Sequence, residues 1–136
     1  MKHTLSILLI LTLLCSCIFS YAIAETRASN YFSSYGTSMS APGSGRIGIT
    51  FKAVGTGICN QIGVATYTVQ KETDVGWVDV SGQLSGQTGT NVASYTFGRY
   101  FQGVAGETYR IQVTFYCAIG TGCEHKSYTS GRITAK

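Results

Sequence analysis

Histidine, proline and charge are all scarce in this chain, and each shortage removes a class of chemistry. Among 136 residues there are 2 histidines and 1 proline, and only 12% of the chain is charged, about half the usual share. His3 sits in the N-terminal leader, so His125 is the one imidazole left to the rest of the chain. A blue-copper centre needs two histidines, a cysteine and a weak axial ligand, and is excluded. A serine hydrolase would have to use His125 as its base, and no G-x-S-x-G elbow presents a nucleophile to it. The 6 acidic residues are dispersed, too thinly for a calcium loop or a glycosidase carboxylate pair. Asp74 and Asp79 do flank Trp77, but a solvated hairpin accounts for them, with Trp77 expected in core or sheet packing. Beyond Lys2 of the leader, the basic residues run from Arg27 to Lys136 without a cluster, which predicts a solvated surface and no nucleic-acid partner. A hydrophobic share of 44% is ordinary for a globular domain and rules out a disordered tail.

The leader has three parts. Met1-Lys2-His3 is a short basic start, Leu5 to Phe19 is apolar apart from Ser6, Thr12 and Ser16, and Tyr21-Ala22-Ile23-Ala24 ends the stretch. Ala22 and Ala24 occupy the small-residue positions before a signal-peptidase cut, so residues 1–24 read as a signal peptide and residues 25–136 as a single exported domain. A retained membrane anchor would need roughly 20 apolar residues, more than this run supplies. Lipid attachment at Cys17 is the remaining alternative, disfavoured by the neighbouring Cys15. With no membrane segment after the cut and no sorting motif before Lys136, free secretion or non-covalent retention at the cell envelope is expected.

Export governs how the cysteines are read. Cys59, Cys117 and Cys123 remain after cleavage, and an oxidising compartment predicts one disulfide and one leftover thiol. Cys59–Cys117 is the favoured pair; it closes the longer loop and contributes at most ~4 kcal/mol through loop-closure entropy. Cys117–Cys123 would contribute ~2.4 kcal/mol and requires both sulfurs on one side of a hairpin; Cys59–Cys123 is the third choice. The same three cysteines with His125 would complete a Cys₃His zinc tetrahedron, but secreted thiols usually oxidise and the Cys-x₅-Cys-x-His spacing matches no known finger. Neither a metal nor a cofactor is expected.

Period-two alternation dominates what is left. Ile47, Ile49, Phe51 and Ala53 alternate with Arg46, Gly48, Thr50 and Lys52; Tyr109, Ile111, Val113, Phe115 and Cys117 alternate with Arg110, Gln112, Thr114 and Tyr116. Such runs are strands with one wet face. Further strands are expected at 35–40, 62–71, 77–80, 91–100 and 126–134, separated by glycine-rich breakers such as Pro42-Gly43-Ser44-Gly45, Gly55-Thr56-Gly57 and Gly120-Thr121-Gly122. Gly43 to Gly48 spells G-x-G-x-x-G, but a strand follows it where a dinucleotide site needs a helix. About seven strands with regular turns predict an all-β fold, an antiparallel β-sandwich of immunoglobulin-like type. Gly106-Glu107-Thr108-Tyr109 supports it: such sandwiches often open their sixth strand with a tyrosine whose hydroxyl bonds to nearby backbone. The turn with Cys59 and the hairpin with Cys117 and Cys123 would then share one end.

Gly55-Thr56-Gly57-Ile58-Cys59-Asn60-Gln61-Ile62-Gly63, Gly106-Glu107-Thr108-Tyr109-Arg110 and Val113-Thr114-Phe115-Tyr116 together resemble a family of small secreted proteins of unknown function from Gram-positive bacteria, over nearly all of the chain from Ala28 onward. Members often read Gly-Thr-Gly-x-Met-Asp-x-Ile-Gly, with alanine where Cys117 stands; this chain has cysteine at both departures. The resemblance implies export and an immunoglobulin-like sandwich, and carries no activity, ligand or catalytic residue with it.

Function is therefore read by class. Outward aromatics, with Tyr116, Tyr128 and Tyr100-Phe101 as candidates, suit stacking on sugars or anchoring a protein. The expectation is a non-enzymatic extracellular binding or adhesion module for an unknown glycan or protein at an envelope or neighbouring surface. The alternatives are a secreted toxin or bacteriocin-like protein, and a small enzyme using Cys123 or His125.

Overall fold

A computed structural model describes residues 29–136. The signal peptide, its cleavage residues Ala22 and Ala24, and Cys15 and Cys17 lie outside the described residues. The strands are β1 (Phe32–Gly43), β2 (Arg46–Thr73), β3 (Gly76–Asp79), β4 (Leu84–Ser85), β5 (Thr88–Gln102), β6 (Thr108–Ile119), β7 (Gly122–Thr129) and β8 (Ile133–Thr134). Every pairing is antiparallel. The fold is all-β and antiparallel, as expected.

Its spine is β2, a strand of 28 residues. The first part of β2 lies between β1 and β5. The second part pairs with β6 on one side and with β3, β4 and the start of β5 on the other, and β7 extends the sheet beyond β6. One hydrogen-bonded sheet thus folds over on itself into two layers. Alternation decides what is enclosed. Ile47, Ile49, Phe51 and Ala53 of β2 are buried, as are Ile62, Val64, Tyr67 and Val69 further along it and Tyr109, Ile111, Val113, Phe115 and Cys117 of β6. Aromatic pairs join the layers: Phe51 to Tyr67 at 4.9 Å between ring centroids, Tyr35 to Phe115 at 5.3 Å and Phe101 to Tyr109 at 5.7 Å.

Three local differences from the sequence expectation have physical causes. Gly55-Thr56-Gly57 does not end a strand; it bends one, with the β5 register shifting between Val54 and Cys59. The bend stays hydrogen-bonded because Thr56 N–H donates to the Tyr31 carbonyl at 2.9 Å. Gly55 is needed there, since a Cβ would collide with the Cys59 sulfur. Second, a bulge between Val64 and Thr66 resets the alternation, which is how both Val64 and Tyr67 face inward. Third, the strand expected at 126–134 is split. Ser130 interrupts it by turning inward, its hydroxyl accepting Ile111 N–H at 2.8 Å and donating to the Gly131 carbonyl at 2.7 Å.

The tyrosine signal holds. Tyr109 is buried, and its hydroxyl accepts the Val104 N–H at 2.9 Å.

Candidate functional site

The predicted cysteines divide by strand parity. Cys59, just after the bend, and Cys117, on the inner face of β6, are fully buried, their sulfurs 3.2 Å apart as thiols, with Cys117 donating to Cys59. Asn60 fastens the same end by accepting Gly120 N–H at 2.6 Å. Burial, then the hydrogen bond and charge of Cys59 and the charge of Glu124, push the Cys117 thiol up to about 12. It stays protonated at neutral pH and presents no thiolate to a substrate. Cys123 is exposed and pairs across the β6–β7 hairpin with Ala118, whereas Cys117 faces Glu124. Cys117 and Cys123 therefore project to opposite sides, which removes the Cys117–Cys123 bridge. The Cys₃His tetrahedron fails for the same reason, because His125 shares the outer face with Cys123.

The aromatic candidates also separate. Tyr128 turns inward against Phe115 and Tyr35, and Phe101 packs on Tyr109; neither is a surface platform. Tyr116 is on the outer face of the second layer, its ring 4.9 Å from that of His125. Burial first, and then Cys123, hold its phenol above the ordinary tyrosine range. Trp77 is not in the core. It lies half-buried on the surface under the Arg110 guanidinium, 4.3 Å from the ring centroid. Arg110 Nε donates to Gln70 Oε1 at 2.8 Å, and Gln70 Nε2 donates to Asp79 Oδ1 at 2.6 Å. Tyr100 alone is widely open, 71% exposed.

Tyr100 marks a face that the sequence argument passed over. The residues of β1, β2 and β5 that alternate with the core form rows across the first layer: Ser40–Gly48–Tyr100, Ser38–Thr50–Gly98 and Gly36–Lys52–Thr96, with Arg46 beside Gln102 at one end. Apart from Tyr100, Gln102 and the two cations, each of these is Ser, Thr or Gly. The small residues leave shallow recesses. One of about 340 Å³ is lined by Ser34, Ser38, Thr50, Lys52 and Thr96. It meets at Thr50 a notch of about 110 Å³ bounded by Ser40, Gly48, Gly98 and Tyr100. Gly48 is needed for that notch: a Cβ would stand 2.6 Å from Ser40 Oγ and 3.4 Å from Tyr100 Cε1. Arg46 lies over the Tyr100 ring at 4.9 Å, a cation–π contact that orients both groups.

Charge distinguishes this face from the rest of the surface. Lys71, Lys126 and Arg132 pair with Glu107, Glu124 and Glu72. All three pairs lie away from the first layer's outer face. Among the described residues no acidic group pairs with Arg46 or Lys52. The signal was present in the sequence as Arg46, Gly48, Thr50 and Lys52 opposite the buried alternation, but three-strand adjacency was needed to collect Ser38, Ser40, Gly98 and Tyr100 around them.

No protein-family model matches the chain, and no curated protein matches it. Among solved structures, the chain is similar to one described as the crystal structure of a protein from Archaeoglobus fulgidus, at 15% identity and a TM-score of 0.40, over 77% of this chain and 98% of that one. A likeness of that size says nothing of what either chain does.

Proposed function

We propose that the chain is an exported, non-enzymatic binding module that holds an extracellular ligand on the outer face of its first layer. The observation that carries this reading is the trough of hydroxyls and glycines beside Tyr100, flanked by Arg46 and Lys52, which pair with no acidic group among the described residues. Hydroxyls both donate and accept, and an open tyrosine ring stacks on apolar ligand faces. The residues a catalyst would draw on are dispersed instead: Asp79 is engaged by Gln70, and Cys123 and His125 stand on the opposite layer's open face.

The fold would be an immunoglobulin-like sandwich of the secreted Gram-positive family that the sequence resembles. Supporting this are the order β1, first part of β2, β5 in one layer and second part of β2, β6, β7 in the other, with the Tyr109 hydroxyl bond. Outside the cell, an external disulfide oxidant would convert Cys59 and Cys117 into a cross-link tying the bend to β6. Non-reducing peptide mapping of secreted protein should find a Cys59–Cys117 peptide and an N-terminus at Glu25; fully alkylated cysteines would remove the cross-link.

Retention on washed cell envelope and on a glycan array tests the face itself. Tyr100→Ala should reduce retention about tenfold or more, in the range of a lost stacking contact, while Tyr116→Ala on the other layer leaves it unchanged. Equal losses, or none, would reject the first layer as the binding face.

A further inference from the structure

From the charge and chemistry of this trough, we propose that its ligand is a linear acidic polysaccharide with spaced carboxylates. The inference rests on the binding-face reading above and narrows it to one chemical class. Arg46 and Lys52 are both exposed and lie on the same side of β2, six residues apart, which on an extended strand is about 20 Å. Between them the surface offers Ser40, Ser38, Thr50 and Thr96, with no acidic side chain among the described residues. A ligand spanning this distance must be extended. It must carry anionic groups at intervals, because the two cations stand apart instead of forming a cluster. It must also present hydroxyls between its charges.

Polyuronate chains have this pattern. Their carboxylates match the planar fork of an arginine, their hydroxyls match those of the trough, and the C–H face of a sugar ring suits Tyr100. Gly48 and Gly98 keep the floor low enough for a ring to lie beside that tyrosine. Arg99 has the opposite parity, across from Ile49 with its guanidinium 5.1 Å from the Phe97 ring centroid, so the trough's cations are Arg46 and Lys52. A densely charged polyanion fits poorly, since it would bring more negative charge than two separated cations can neutralise. A compact phosphate would need several donors converging on one point.

Affinity electrophoresis and calorimetry with hyaluronan, which bears a carboxylate on alternate sugars, test the assignment. Neutral dextran and dextran sulfate serve as controls. Wild-type protein should bind hyaluronan and not dextran, and should weaken as salt rises toward 0.5 M, as exposed charge contacts do. Arg46→Gln/Lys52→Gln should weaken hyaluronan at least tenfold with an unchanged circular dichroism spectrum, because both side chains are exposed; Arg110→Gln should not weaken it. Equal binding of dextran and hyaluronan, with Tyr100→Ala still damaging both, would overturn the acidic assignment and leave the binding face standing. Preference for dextran sulfate, or hyaluronan binding indifferent to the double variant, would also overturn it. If no polysaccharide is held and Tyr100→Ala changes nothing on washed envelope, the face and the ligand class fall together.

Discussion

The outer faces of the two layers are built on the same strand, β2, yet they treat charge in opposite ways. On the second layer, Arg110 is spread over Trp77 and bonded to Gln70, which in turn holds Asp79. Those charges are consumed by the fold. On the first layer, Arg46 and Lys52 have no described acidic partner, and the side chains around them are too small to cover them. Polar groups that satisfy each other stabilise or rigidify a surface; polar groups left open are free to engage something else. Substitutions on the first face should therefore cost binding, and substitutions on the second should cost stability.

The largest test removes what the faces share. Phe51→Ala takes away the ring that contacts both Tyr67 and Phe97 and should destabilise by about 3–5 kcal/mol, so that denaturant unfolding shifts and both faces fail together. Next comes Arg110→Ala. It strips Gln70, only 8% exposed, of its hydrogen-bond donor, and should lower stability by about 1–3 kcal/mol with ligand retention intact at temperatures where the protein is folded. Gly48→Ala is the mirror case. The Ser40 hydroxyl can swing away from the new methyl, so stability should change by less than about 1 kcal/mol. The methyl would still fill the notch, in van der Waals contact with the Tyr100 ring, and retention should fall several-fold.

The smallest effect concerns pH. Burial would raise the Glu124 carboxyl, but hydrogen bonds from Lys126 and Ser29, with the charge of Lys126, hold it below the usual carboxylate range. A lowered folded value contributes stability that is complete above the unfolded value, about 4.3, and is lost as pH falls through the lowered one. Acid unfolding should thus begin below about pH 4.3, and Glu124→Gln should flatten that part of the profile. Glu124 also accepts the Ser29 hydroxyl, while Ser29 Oγ accepts the Phe32 N–H at 2.7 Å. The start of β1 should therefore be the first segment to gain amide exchange in acid.

The core strands were legible because alternation is a local property. Ile47 to Ala53 and Tyr109 to Cys117 each declare which face is dry, and the structure buries those residues. The bend at Gly55 was not legible, since a glycine pair reads the same whether it ends a strand or lets one turn. Tyr128 and Tyr116 were equally ambiguous as isolated aromatics. Their directions follow from the β6–β7 register, in which Tyr128 faces Val113 and Tyr116 faces His125. Cys59 and Cys117 could be brought to one end of the molecule from pattern alone. The trough could not be assembled in that way, because its rows draw on three strands and no short window of sequence contains Ser40, Gly48 and Tyr100 together.

The length of β2 has a consequence for dividing the molecule. A cut at the exposed bend, where Ile58 is 72% open, would break the spine but not separate the layers, because β5 pairs with β2 on both sides of the bend. The hairpin of β1 and the first part of β2 would become a cassette seated in a slot between β5 and the layer below. Two fragments divided there are expected to complement one another on mixing, and ligand retention would return only when the cassette is in place.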